Sequence, residues 1–404
     1  MRKPIRDHSL PQGPAVMADI LDYLARAVDV GHQVYVHCRA GIGRTNTVVG
    51  CWLRRGGLSG PAALARLNEL WRANARSESW PVIPETEDQA RYISAWADPA
   101  AAEETEPLVD LPAARALRDK YLGCLLGLAC GDAIGSTLQF RKPGQFAPVA
   151  DMLGGGHWQL PRGAWTDDTA ISLCVAESLL SREEFVAADL LQRLGLWQRE
   201  GHLSATGHCV GITSALVRAL APGVPADAAS GDALQALTRV GVVALFALSA
   251  PERVFDWAVA AIRCTDRTAE ARDAGLAYTA LVIAALRGAR RQTLRAEALA
   301  LLAGAEGGVP SPALQRILGE DAGGVGLDWL LQAVLRGEDF REGLLGIVNR
   351  GGDADVRGAL YGQLAGALLG VEAIPKAWRN ALLRRNLLEN TADRLLIAAL
   401  APAA

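Results

Sequence analysis

The sequence predicts a mainly α protein, with a small α/β segment in front of a large all-α domain. Three observations carry this. Ala, Leu and Gly are abundant while aromatic residues make up only 5% of the 404 positions. From Ala113 onward apolar residues recur at helical spacing between Gly breaks, with no alternating run of useful length. The one good β-prone run, Gln33 to His37 (QVYVH), lies near the front.

A chain of this length exceeds one ordinary core, so two domains are expected. The boundaries read as a first segment over 1–98, a linker over 99–112 and an all-α domain over 113–404. The linker belongs to WADPAAAEETEPLVDLP, which mixes prolines with an acidic cluster. In the first segment a helix, the short strand and two or three further helices are expected. In the second, clear helical runs are Ala113 to Cys130, Asp168 to Ser181, Ala269 to Arg287 and Arg357 to Leu369. No tandem repeat of fixed period is present.

A formal charge of −3 gives no electrostatic footprint for nucleic acid. The longest apolar runs, such as Val240 to Ala250, fall short of the ~18 residues a bilayer requires, and no apolar stretch follows the basic N-terminal residues as in a signal peptide. Neither a nucleic acid nor a membrane is therefore expected as a partner. The seven cysteines are scattered and odd in number, with no CxxC pair. That argues against a disulfide framework and for the cytoplasm, where a reactive thiol stays reduced.

The first chemical motif is HCRAGIGRT, residues 37 to 45. A strand–loop–helix here would aim several backbone N–H groups at one point, at the positive end of a helix. Cys38 in that position is pushed toward thiolate. Arg44, six residues later, returns to the loop mouth and can grip a phosphate through two parallel hydrogen bonds. The bland alternative, a buried cysteine before a Gly-rich turn, fits a lone cysteine better than this constellation.

These residues resemble the signature of protein tyrosine and dual-specificity phosphatases. The resemblance implies a phosphorylated substrate, Cys38 as nucleophile, and Arg44 with the loop at Gly41 and Gly43 as the phosphate cradle. It further implies Thr45 assisting the cysteine, Asp7 as general acid and Gln89 on a water-positioning loop. It also implies a multi-stranded sheet, whereas one good strand is legible before residue 100. The module is therefore expected to be truncated and poorly active alone.

The second motif is a pair of acidic clusters, GAWTDDT at 163–169 and GGDAD at 351–355. Thr166, Asp167 and Asp168 crowd oxygens in one; Asp353 and Asp355 do so in the other. Such crowding is costly unless a cation collects the carboxylates, and all-oxygen ligation suits a hard ion such as Mg²⁺. Taken separately, the clusters could instead be helix caps and turn residues.

Together with YLGCLLGLACGDAIGSTLQF from Tyr121 and GIVNRGGDADVRGALYGQLAGALLG up to Gly370, these motifs resemble the ADP-ribosylglycohydrolase family, over roughly 115 to 375. The resemblance implies an all-α fold and a dinuclear Mg²⁺ centre held by Thr166, Asp167, Asp168, Asp353 and Asp355. The implied reaction is hydrolysis of the bond joining ADP-ribose to a protein side chain or a small molecule.

Departures from that pattern fall at site positions. Gln139 stands where the family has a glutamate, and an amide is a poor general base. Val356 replaces a hydroxyl ligand, which would weaken one metal position. Gly211 stands for an aspartate, GDALQALTR replaces an Asn-Gly segment near 231, and Asp266 replaces a histidine. His202 and His208 are formal candidates for a replacement base, though a loop histidine is usually just solvated. Three readings remain open: a Mg²⁺-dependent ADP-ribosyl hydrolase with reduced or altered activity; a phosphatase using the helical domain for recognition; and a non-catalytic binder of ADP-ribose or a nucleotide.

Overall fold

The structure, a computed structural model, describes all residues except 1–4, 6–8, 12, 30–31, 39–40, 97–110, 222–232, 306–307, 320–326, 338 and 402–404. It forms two compact units, Met1–Asp110 and Leu111–Ala404.

The first unit contains α1 (Pro14–Asp29), α2 (Arg44–Arg55), α3 (Gly60–Trp71) and α4 (Glu87–Ala95). Its core gathers Met17, Leu21, Val48, Cys51, Leu67, Ile83 and Ile93. The last two of these helices have a sequence signal at their start. Ser59 caps α3 ahead of a proline in its first turn, and Thr86 with Gln89 forms a capping box on α4. The expected strand at Gln33 to His37 is corrected: residues 32–38 carry no regular structure, and no strand longer than one isolated bridge occurs among the described residues. The unit is thus helical where it is described, not α/β. A β-prone run needs a neighbour to take its backbone hydrogen bonds, and here Tyr35 is 86% exposed.

The second unit runs α5 (Leu111–Gly135), α6 (Asp167–Arg182), α7 (Ala187–Glu200), α8 (Ser214–Leu220), α9 (Ala233–Thr238), α10 (Val240–Phe246) and α11 (Pro251–Arg263). It continues through α12 (Ala269–Leu286), α13 (Leu294–Ala305), α14 (Pro312–Leu318), α15 (Asp328–Arg336), α16 (Phe340–Val348), α17 (Ala354–Leu369), α18 (Lys376–Ala381) and α19 (Arg385–Leu400). The helical runs read from sequence all appear, with α17 beginning one residue ahead of Asp355 rather than after it.

Helices α5 and α17 form the spine, and their sequences explain how. Gly123, Gly127, Gly131 and Gly135 recur every fourth residue on one face of α5. They meet Gly366, Gly362, Gly358 and Ala354 on α17, running the opposite way. A Cβ at any of the four α5 glycines would overlap the facing carbonyl oxygen, so only glycine permits this approach. The half-buried Lys120 ammonium donates to Ala285 O at 2.6 Å and to Ala367 O at 3.3 Å, so it caps the carbonyl ends of α12 and α17 at once. Because the glycine contacts fix the register, the last turn of α5 lies against the first turn of α17. That places Asp132 beside Asp355.

Candidate functional site

Asp132, fully buried near the end of α5, is the anchor of the larger unit's site. It accepts hydrogen bonds from the Thr166 amide (2.9 Å) and hydroxyl (2.7 Å), and from the Thr169 amide (3.1 Å) and hydroxyl (2.7 Å). It therefore caps α6 from a distance. Thr166 is the cap residue of that helix but makes no capping bond through its own side chain. Asp167 and Asp168 lie in the first helical turn and are not the cap. The Asp pair is therefore not the side-chain cap of α6.

Asp167, Asp168 and Asp355 each present an oxygen within 4.8 Å of the other two, and all three are buried. Two helix N-termini converge there, since Asp167 and Asp168 open α6 and Asp355 opens α17. The partial positive charge of those termini favours carboxylates. Burial and then the charge of Asp132 push the Asp355 carboxyl up to about 8. Asp132 is itself raised by burial, against the pull of the donors from Thr166 and Thr169. Neither oxygen of Asp355 has a hydrogen-bonding side chain, and only the amides of Asp355 and Val356 help to hold its charge. A buried carboxylate left this way fits a cation-binding role. The three-carboxylate, all-oxygen donor set suits a hard divalent ion.

Thr166 is buried beside this cluster with its hydroxyl directed to Asp132, whereas Asp353 sits at the cap position of α17 without a side-chain capping bond and is exposed, outside the group of three. Gln235, which the sequence reading passed over, donates its side-chain amide to Asp167 Oδ2 and accepts from Thr213 Oγ1 at 3.3 Å. Gly211 closes the other side: at φ +85° its Cα lies against Asp167 Oδ1, and a Cβ there would overlap that oxygen. An aspartate at 211 would require both a left-handed backbone and a shift of the Asp167 carboxylate. The signal that could have found Asp132 was its place in CGDAIGS, four residues before the loop that ends in Gln139. Gln235, on an unremarkable apolar helix, had no such signal.

The substituted positions are each absorbed into local structure. The Gln139 carbonyl accepts the indole N–H of Trp158 at 2.5 Å. Val356 packs against the apolar core. Asp266 accepts the amide (2.8 Å) and hydroxyl (2.7 Å) of Thr268, the cap of α12. Of the two candidate histidines, His202 bonds Glu177 Oε2 at 2.7 Å and His208 is exposed. The nearby Cys209 thiol is pushed up to about 11 by burial and then by Asp167, which keeps it protonated at neutral pH.

In the smaller unit the Gly41 amide donates to Cys38 Sγ at 3.2 Å, with Gly41 in the left-handed region at φ +78°. Gly43 precedes α2, and a Cβ there would crowd the Glu85 carboxylate and the Gln89 amide. The Arg44 guanidinium donates to Ile5 O at 3.1 Å, and the Thr45 hydroxyl is buried without a hydrogen bond. Gln89 is wholly buried and serves the α4 capping box. Asp7 lies outside the described residues.

Known proteins are similar to this chain. Residues 113–403 match the family model described as ADP-ribosylglycohydrolase, and residues 1–57 match one described as a polymorphic toxin system DSP-PTPase phosphatase. The ADP-ribosylarginine hydrolase Tri1 of Serratia proteamaculans is 31% identical, over 70% of this chain and 80% of its own. The ADP-ribosyl-[dinitrogen reductase] glycohydrolase of Rhodospirillum rubrum is 31% identical, over 66% of this chain and 91% of its own. A solved structure titled ADP-ribosylglycohydrolase-related protein complex is 37% identical, with TM-score 0.58, covering 70% of this chain and 99% of that one.

Proposed function

The chain belongs to the ADP-ribosylglycohydrolase family, and from that premise we propose that it hydrolyses the bond joining ADP-ribose to an arginine side chain of a modified protein. One observation carries the reading: three buried carboxylates from segments far apart in sequence converge at two helix N-termini, and Asp355 among them has no hydrogen-bonding side chain. Asp167, Asp168 and Asp355 would hold a magnesium ion, with Thr166 and Asp353 completing the oxygen donor set.

A divalent cation bound there supplies positive charge that polarises ribose hydroxyls and the attacking water. The chain's own residues do the rest. Asp132 holds the α6 terminus so that Asp167 and Asp168 keep one orientation. Gln235 and Gly211 fix Asp167 from opposite sides. Gln139 can orient a hydroxyl but cannot take its proton, and Val356 offers no lone pair, so turnover is slow.

Those two substitutions favour a second reading, a binder of ADP-ribose that does not cleave it. Calorimetric titration with Mg²⁺ and then ADP-ribose, followed by an assay on ADP-ribosylarginine, separates the two. Binding of both with release of arginine supports the hydrolase, and binding without release supports the second reading. No Mg²⁺ binding at millimolar concentration overturns both.

The Gly41 amide on Cys38 supports a further activity at the smaller unit, phosphate-ester cleavage through Cys38 and Arg44 with Asp7 as acid. The two activities are proposed to act on related, doubly modified substrates. Phosphate release from a phosphopeptide, lost in Cys38→Ser, is the test.

A further inference from the structure

Asn46 is the third residue of α2 and is buried, with 7% of its surface exposed. Asparagine is a poor choice inside a helix, because its side chain competes for nearby backbone groups. Here that competition has a definite target. Asn46 Nδ2 donates to Gly41 O at 2.7 Å and to Ile42 O at 2.8 Å, so both of its N–H groups reach back to the loop that follows Cys38. Thr47 takes the next carbonyl: its amide donates to Gly43 O at 3.0 Å and its hydroxyl to the same oxygen at 3.2 Å. Three successive loop carbonyls are therefore tied to α2.

A trans peptide is planar, with its C=O and N–H pointing in opposite directions. Holding Gly41 O therefore sets the Ile42 amide, and holding Ile42 O sets the Gly43 amide; both are turned away from Asn46. Among the described residues no backbone carbonyl accepts either amide. Gly43 also gives α2 no side-chain cap, so the helix start keeps its N–H groups for something else. One residue earlier the Gly41 amide donates to Cys38 Sγ at 3.2 Å. The loop is confined from another side as well, because a Cβ on Gly43 would lie 2.8 Å from Glu85 Oε2 and 3.0 Å from Gln89 Nε2.

We propose that Asn46 is the positioning residue of the Cys38 loop: it ties the Gly41 and Ile42 carbonyls to α2 so that the Ile42 and Gly43 amides face a tetrahedral oxyanion. The proposal rests on the phosphatase reading of the smaller unit and adds a residue that HCRAGIGRT does not contain. Two variants separate this role from the filling of space. Asn46→Asp keeps the shape but turns acceptors toward two carbonyls. Asn46→Ser keeps one hydroxyl, which can reach Ile42 O four residues back, as Thr47 reaches Gly43 O, but cannot serve both carbonyls.

The test is protection of Cys38 from iodoacetamide by tungstate in the full chain, read by peptide mass spectrometry. Tungstate is a tetrahedral oxyanion, and reading at Cys38 ignores anions bound elsewhere. Wild type should be protected. Half-protection should need about tenfold more tungstate in Asn46→Asp and an intermediate amount in Asn46→Ser. Amide hydrogen exchange over α3 and α4 checks that the smaller unit stays folded in each variant. Should Asn46→Asp fail that check, Asn46→Ser decides alone: weakened protection with native exchange supports the proposal, and protection equal to wild type overturns it. No protection of wild type at millimolar tungstate, equal protection in all three proteins, or a loss in Asn46→Ser as large as in a folded Asn46→Asp would overturn it too. Graded protection without release of phosphate from any phosphopeptide would leave Asn46 in its role and reject the phosphatase reading.

Discussion

Thr166 gives both its amide and its hydroxyl to Asp132, 34 positions earlier in the chain. This contact decides how the acidic motif is used. Asp132 caps α6 from outside, so the two aspartates of the first turn are not its cap, and after burial its charge raises Asp355.

Asp132→Asn turns an N–H donor toward groups that already donate. The variant should lose about 2–4 kcal/mol of stability, read by urea denaturation, from disrupted buried hydrogen bonds. Its Mg²⁺ affinity should fall about 10–100-fold in calorimetry, as for other groups that orient ligands.

The raised Asp355 carboxyl predicts a pH signature in metal-free protein. A group whose folded pKa exceeds its unfolded one stabilises fully below the unfolded value, about 4. That contribution is lost as pH rises through the folded value of about 8. In EDTA the wild-type melting temperature should therefore fall between pH 5 and 8, and Asp355→Asn should flatten the decline. An equal decline in the variant would show that Asp355 is ionised throughout.

Gln139→Glu combined with Val356→Thr restores a proton acceptor and a hydroxyl ligand. Release of arginine from ADP-ribosylarginine should rise at least tenfold, measured by product chromatography. An unchanged rate would place the defect in the surroundings of Gly211 or Asp266.

At the start of α7, Asp189 is held by Arg193 at 2.6 Å and Arg182 at 2.7 Å. Burial opposes its ionisation, but hydrogen bonds from Arg193, Ser178 and Arg182 prevail and bring it to about 2. A depressed carboxylate stabilises above its unfolded pKa near 4 and loses that contribution as pH falls toward 2. Asp189→Asn should thus melt below wild type at pH 7, with the gap closing by pH 2.

Gly127→Ala or Gly362→Ala forces a methyl group into the carbonyl of the facing helix. Either should cost about 3 kcal/mol or more, since backbone rather than a rotamer must move. Loss of Mg²⁺ binding should accompany it, because Asp132 and Asp355 depend on this register. A melting curve with a parallel metal titration checks both.

The sequence by itself determined the helical character of the larger unit, the position of the helices that carry the site, and the two acidic motifs. Periodicity, glycine breaks and crowded carboxylates are local signals that survive without a structure. The fourfold glycine spacing in α5 and α17 was also present, but its partner face could not be assigned from one chain. Tertiary structure alone decided that Asp132 caps α6, that Gln235 and Gly211 enclose Asp167, and that Asp353 stands exposed while Asp355 is buried. It also decided that Gln33 to His37 carries no regular structure instead of forming a strand. In each case the deciding partner is remote in sequence, and hydrogen bonding, burial and close packing exist only once the remote group arrives.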